Sequence, residues 1–146
     1  MTFDEVFFMS SQRVVVIGQG YVGLPVAMRA VEVGFDVVGF DVDEAKIEGM
    51  AAGRSHIDDI TDADIEAALA TGRFLPTRNT DDIAGFDVAV ITVPTPLHEG
   101  GPDMRFIVSA GEMIAPHVRS GSTVILESTT YPGTTEEVLG PLLEAG

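Results

Sequence analysis

Uncharged runs rich in β-branched residues alternate along this chain with segments whose apolar positions recur every three to four residues. Residues 14–17, 37–40, 87–93 and 123–126 are the strand-like runs, with 74–78 a weaker one. Apart from Asp87 and Arg78 at their ends they lack charge, as strands buried on both faces do. Between them, Val22, Val26, Ala30 and Val33 fall at helical spacing, with Pro25 in the first turn and Gly34 as the stop. Asp43 reads as the N-cap of a helix through about Met50, closed by Gly53. Thr61-x-x-Asp64 resembles a capping box for a helix over 61–70, with Gly72 as its stop. Phe106, Ile107, Ala110 and Ile114 predict a helix over 103–115, and 134–143 reads as a last helix capped by threonine. Strand and helix in alternation predict an α/β domain built on a doubly wound parallel sheet, strand order 3-2-1-4-5. In such sheets a ligand sits outside the carboxyl ends of the strands, where the strand order reverses. Residues 18–23, 41–46, 92–96 and 127–133 each follow a strand and are therefore the segments expected to matter.

The first of these carries the sharpest motif. After the strand comes Gly18-Gln19-Gly20-Tyr21-Val22-Gly23, then the helix, then a second strand ending in Asp41. In a G-x-G-x-x-G turn the first glycine permits the tight turn, the second lets the backbone approach a pyrophosphate, and the third lets the helix sit close on the strand. The helix N-terminus adds N–H groups and the positive end of a dipole. Asp41 follows Gly23 at roughly the 20-residue spacing of the acid that holds an adenosine ribose. A carboxylate there accepts from the 2′- and 3′-hydroxyls and repels a 2′-phosphate, so the expected cofactor is NAD rather than NADP. The blander readings are a glycine turn without a ligand and a turn acid at a strand end. The context on both sides favours a Rossmann-type dinucleotide site.

Composition narrows the partners. The chain has 146 residues, 23 acids against 8 bases and a formal net charge of −15. That argues against nucleic acid and against an anionic membrane surface, and makes an anionic cofactor depend on local donors. Hydrophobic residues make up 45% without any run long enough to span a bilayer. Residues 1–12 read as a short acidic tail without the positive stretch and apolar core of a signal peptide, and Met9 is an alternative start. Residues 13–146 read as a single domain. There are no cysteines, hence no disulfide and no thiolate metal site, which fits the cytoplasm. His56, His98 and His117 lack metal-ligand spacing and read as surface or loop residues.

The strand-end segments add hydroxyls. Thr92-Val93-Pro94-Thr95-Pro96 stiffens the end of the fourth strand and places Thr95 near the switch point. Glu127-Ser128-Thr129-Thr130-Tyr131-Pro132-Gly133-Thr134-Thr135 crowds the end of the fifth with groups able to hydrogen-bond a sugar or water. Turn and capping chemistry accounts for some of them, Thr134 or Thr135 above all.

Taken together, GQGYVGLP, GFDVDEAK, VPTPLHEGGPDM and ESTTYPGTTEE resemble the nucleotide-sugar dehydrogenases, the UDP-glucose/GDP-mannose dehydrogenase family, which oxidise C6 of UDP- and GDP-sugars. ESTTYPGTTEE and PTPL…PDM look most like the UDP-N-acetylglucosamine 6-dehydrogenase branch, with the UDP-N-acetylmannosamine branch near and UDP-glucose dehydrogenases third. The resemblance implies that Gly18, Gly20, Tyr21, Val22 and Gly23 hold the NAD pyrophosphate. It places Asp41 and Lys46 at the adenosine ribose and Thr95 beside the cofactor. Lys46 also reads as an exposed helix lysine. Thr129 matches the threonine that positions the catalytic water or the substrate oxygen, and is the supporting catalytic candidate. The family reaction is two NAD-dependent oxidations with a cysteine that forms a thiohemiacetal and then a thioester. This chain holds no cysteine, and the resemblance covers only the N-terminal cofactor domain. It therefore implies a truncated piece, inactive alone, of an enzyme acting on a UDP-sugar as a homodimer. A stand-alone NAD-binding or redox-sensing module is the alternative. A small hydroxyacid dehydrogenase sharing the first domain is a weaker third reading.

Overall fold

The computed structural model describes residues 12–128 and 132–145. The tail expected over 1–12 lies outside the described residues except for Gln12, and so do Thr129, Thr130 and Tyr131.

Strands β1 (Arg13–Ile17), β2 (Asp36–Phe40), β3 (Phe74–Thr77), β4 (Val88–Ile91) and β7 (Thr123–Leu126) form a five-stranded sheet in the order β3-β2-β1-β4-β7. Every pairing is parallel. Since β7 is the fifth strand of this sheet, the order is the 3-2-1-4-5 of the pattern. Helices α1 (Gly23–Glu32), α2 (Glu44–Ala51), α3 (Asp62–Ala70), α4 (Arg105–Ile114) and α5 (Gly140–Glu144) complete the layers.

Alternation along the central strands sends side chains to opposite faces. Val14, Val16 and Val37 pack with Leu24 and Ala27 of α1, Met50 of α2 and Ile65 of α3. Val15, Ile17, Val38 and Phe40 pack with Phe86, with Ala110 and Ile114 of α4 and with Leu139. The sheet is thus covered on both sides, as its uncharged strands require. β7 departs from expectation: it is an edge strand with Thr123 and Ile125 exposed rather than a buried one. Pro76 also sits at an edge, in β3, where a missing N–H leaves no ladder bond unmade.

Caps fix the helix starts. Asp43 accepts from the Lys46 N–H, and Thr61 with Asp64 forms the reciprocal capping box. The hydrogen bonds from Thr61 hold the Asp64 carboxyl below its ordinary range. Gly34, Gly53 and Gly72 leave their helices with φ of 104°, 79° and 72°, the region that favours glycine.

Three further elements differ from the pattern. The buried stripe of α1 is Gly23, Leu24, Ala27 and Val31, while Val22 and Val33 are exposed. The helix packs through the face that carries Gly23, because only there can its backbone approach the strand. The last helix opens with a wide π turn over Thr135–Leu139, and Thr134 makes no side-chain capping bond. Pro141 has no N–H to give to the carbonyl four residues back, and in a regular α turn its ring would collide with that carbonyl. Finally, β5 (Leu97–His98) and β6 (Gly101–Pro102) form a small antiparallel hairpin where no element was expected. No helix among the described residues is long and apolar enough to cross a membrane.

Candidate cofactor site

The glycine turn lies at the carboxyl edge of the sheet, between β1 and α1. Gly18 has φ 98°, and its N–H donates to the Phe40 carbonyl at 2.8 Å. A Cβ on Gly18 would come within 2.8 Å of the Thr92 carbonyl oxygen. A Cβ on Gly23 would collide with the Gly18 carbonyl and the Thr92 hydroxyl. Thr92 is itself buried, its hydroxyl 2.8 Å from the Gly18 carbonyl and 3.0 Å from that of Ile17. Gly18 and Gly23 are therefore small because the protein's own packing demands it. Gly20 is different: a Cβ there would meet nothing within 4 Å.

Asp41 directly follows β2 and is only 9% exposed. One carboxylate oxygen accepts from the Gln19 N–H at 2.8 Å and the other from the Asp43 N–H at 2.9 Å. The carboxylate thereby ties the glycine loop to the start of α2. Each oxygen keeps room for a further donor. Below the loop, the Gln19 side chain is fully buried and donates to the Val16 carbonyl at 2.9 Å. It lies so close to Gly39 that a Cβ there would stand 2.9 Å from its Oε1.

A cleft of about 620 Å³ opens above these groups. Gly18, Gly20, Tyr21 and Val22 line it from the loop, Asp41, Asp43 and Lys46 from the β2–α2 junction, and Thr92, Val93, Pro94 and Thr95 from the end of β4. Glu127 and Ser128 reach it from the end of β7. Of the residues singled out by sequence, Gly23 lies outside the cleft lining, beneath the loop, and Thr129 lies outside the described residues. The Ser128 hydroxyl is spent on the chain, donating to the Val93 carbonyl at 2.9 Å.

One wall was missed. Phe106, Ser109, Ala110 and Met113 of α4 also line the cleft. Their i, i+3, i+4, i+7 spacing was present in the sequence, but it is masked by the core stripe of Ile107, Ala110 and Ile114 on the same helix. Asp103 sets this wall in place. Its N–H donates to the Pro96 carbonyl at 2.7 Å, and its carboxylate accepts from the Arg105 N–H at 3.0 Å and from the guanidinium at 2.6 Å. These Arg105 bonds, side chain first, hold the Asp103 carboxyl down to about 2.

His56 lies in the loop between α2 and α3, in keeping with its reading as a surface or loop residue. It is half-buried, and its Nε2 contacts the Gln19 carbonyl of the glycine loop. Such a contact across 37 positions leaves no trace in local spacing. His98 is exposed on the hairpin. No group of metal-ligating side chains clusters among the described residues.

The donor set fits a dinucleotide. α1 has neither a side-chain cap nor an acid in its first turn, so no carboxylate of the protein itself occupies its start, where the Leu24 N–H turns back to the Gly20 carbonyl at 3.1 Å and Pro25 has no N–H. Gly20 offers open backbone, and Asp41 offers acceptors at hydroxyl reach of the same cleft. The cleft carries hydroxyls, carboxylates and a lysine, and the sequence supplies no thiol.

Comparison with known proteins agrees. Residues 12–146 match the model of the UDP-glucose/GDP-mannose dehydrogenase family, NAD binding domain. A UDP-N-acetyl-D-glucosamine 6-dehydrogenase of Pseudomonas aeruginosa is 40% identical over 139 residues, 93% of this chain and 32% of the relative. A UDP-N-acetyl-D-mannosamine dehydrogenase of Pyrococcus horikoshii is 36% identical over 127 residues, 86% of this chain and 30% of the relative. The solved structure of the UDP-D-ManNAc dehydrogenase of Pyrococcus horikoshii superposes with a TM-score of 0.85 over 91% of this chain and 33% of that one. A ternary complex of GDP-mannose dehydrogenase from Pseudomonas aeruginosa gives 0.85 at 31% identity, over 92% of this chain and 32% of that one. The chain thus spans about a third of the length of the curated relatives it matches. A glycine turn shaped for open backbone, an acid just after β2 and a family match over all the described residues converge: this chain belongs to the UDP-glucose/GDP-mannose dehydrogenase family, as its NAD-binding domain.

Proposed function

We propose that this chain is the cofactor domain of a nucleotide-sugar 6-dehydrogenase that oxidises C6 of a UDP-N-acetylhexosamine to the uronic acid, with UDP-N-acetylglucosamine the favoured substrate. Bound NAD supplies the hydride acceptor for each of two oxidations. The residues here hold and orient it. Gly20 and the first turn of α1 take the pyrophosphate, with Tyr21 and Val22 flanking it. Asp41 accepts from the adenosine ribose hydroxyls, with Lys46 beside it. Thr95 stands at the nicotinamide side, and Thr129 supports the reacting end.

The observation that carries this reading is the contrast among the glycines. Gly18 and Gly23 answer to packing, whereas Gly20 is bare toward open space in the cleft. A bare backbone there serves a ligand that comes close to it. The choice of an N-acetylhexosamine rests on the likeness of ESTTYPGTTEE and PTPL…PDM to that branch, and on the 40% identity to a UDP-N-acetyl-D-glucosamine 6-dehydrogenase.

Within these 146 residues no thiol is present to carry an aldehyde on to the acid. The chain spans about a third of the length of the curated relatives it matches, so alone it is expected to bind NAD⁺ weakly and to form no NADH with UDP-N-acetylglucosamine, UDP-N-acetylmannosamine or UDP-glucose. Steady NADH formation by the purified chain refutes this. The same lack of a nucleophile favours a second reading, a module that binds NAD without chemistry. The reading frame beyond Gly146 separates the two. A continuation with a cysteine motif supports the dehydrogenase, and a stop codon supports the module.

A further inference from the structure

We propose that His56 is a positioning residue for the pyrophosphate site: it fixes the direction in which the Gly20 N–H points. The Gln19 carbonyl can only accept, so the His56 Nε2 facing it carries the proton and donates. The N–H of the same residue is held from the other side by Asp41 at 2.8 Å. Gln19 is thus clamped at both of its backbone groups. The Gln19 carbonyl belongs to the peptide unit whose nitrogen is that of Gly20. A trans peptide is planar, with its C=O and N–H directed oppositely. Anchoring the carbonyl on His56 turns the Gly20 N–H away from the histidine. Gly20 is the loop glycine with open space above it, and it lines the cleft.

The segment bearing His56 is built to hold it there. Gly53, with φ 79°, ends α2, and the Arg54 N–H closes back on the Gly49 carbonyl at 2.8 Å. The Ser55 N–H donates to Asp62 at 2.8 Å, and its hydroxyl bridges past His56 to the Ile57 carbonyl at 2.9 Å. Ile57 is anchored in the core. The ring's other nitrogen, Nδ1, is buried without a hydrogen-bond partner. Burying a ring nitrogen unpaired is unfavourable, so packing alone would select an apolar side chain here. The bond to the glycine loop is what a histidine adds.

The test compares His56→Phe, which keeps a ring and loses the donor, with His56→Gln, whose Nε2 reaches a similar distance. NAD⁺, ADP-ribose and adenosine are titrated into each by calorimetry. With the donor gone, affinity for NAD⁺ and ADP-ribose is expected to fall about tenfold, the order of one lost hydrogen bond. Adenosine, which has no phosphate, is expected to bind as before, and His56→Gln to recover most of the loss. Unchanged NAD⁺ affinity in His56→Phe overturns the proposal, as does an equal loss for all three ligands or a glutamine that recovers nothing. The unaltered chain gives a second test that needs no folded variant. Its imidazole ¹⁵N spectrum must show the proton on Nε2, and a proton on Nδ1 alone contradicts the proposal.

Discussion

Replacing Asp41 with alanine removes two separable functions of one carboxylate. The first is internal. The Gln19 N–H loses a charged acceptor at a fully buried residue, a loss of about 1.5–3 kcal/mol. The Asp43 N–H belongs to an exposed residue and finds water instead, so it adds little. For a chain of this size each kcal/mol lowers Tm by roughly 2–4 °C, giving a drop of about 3–12 °C. The second function is the ribose. Loss of its acceptors costs about 1–3 kcal/mol, or roughly a 5- to 150-fold weaker NAD⁺. Asp41→Asn divides the two. It keeps one carbonyl oxygen but turns an amino group toward a backbone N–H, so its Tm should fall between the parent and the alanine variant. It also removes the charge that repels a 2′-phosphate, so its preference for NAD⁺ over NADP⁺ should shrink. The assays are thermal melts and titration calorimetry with both dinucleotides. An unchanged Tm in Asp41→Ala refutes the loop clamp, and an unchanged NAD⁺ affinity removes Asp41 from the site.

The glycines give an opposed pair of variants. Gly23→Ala should lower stability by about 1–3 kcal/mol or more in a chemical melt, because its Cβ collides with the Gly18 carbonyl. Gly20→Ala should melt like the parent yet bind NAD⁺ at least about tenfold more weakly, because its Cβ meets only the space a ligand needs. Equal melting losses in the two variants would contradict the distinction. The Asp103–Arg105 pair sets an acid dependence. With the folded carboxyl held down to about 2, its stabilising contribution is present above the ordinary carboxylate range and is lost as pH falls through about 2. Arg105→Ala should return the Asp103 midpoint in an NMR titration toward the ordinary range. A midpoint already in that range in the parent chain removes the pair as its cause.

The architecture was legible because each local signal agreed with the fold. The β-branched runs of β1, β2 and β4, the Asp43 and Thr61 caps and the glycine stops all point the same way. What escaped depends on contacts distant in sequence or on geometry that composition does not encode. The β5–β6 hairpin turns on Glu99 at φ 51° and Gly100 at φ 84°, left-handed at both central positions, as a tight two-residue hairpin needs. Glutamate gives no hint of that conformation. Thr92, read as part of a strand end, bonds the carbonyls of Ile17 and Gly18. The exposed fifth strand read as buried because its apolar run matches that of β4, and the sequence says nothing of which strand lies at an edge. The cleft's loop residues, Asp41 and Thr95 were named from motif and strand-end position, because a parallel sheet brings such ends together whatever their distance along the chain, whereas Lys46 was named from the family resemblance.

The most direct test follows the amide signals of the ¹⁵N-labelled chain as NAD⁺ is added. Shifts should concentrate at Gly18, Gly20, Tyr21, Val22, Asp41 and Thr95, and NADP⁺ should produce them only at much higher concentration. Absence of shifts at the glycine turn, or equal response to NADP⁺, would contradict an NAD site at the carboxyl edge of this sheet.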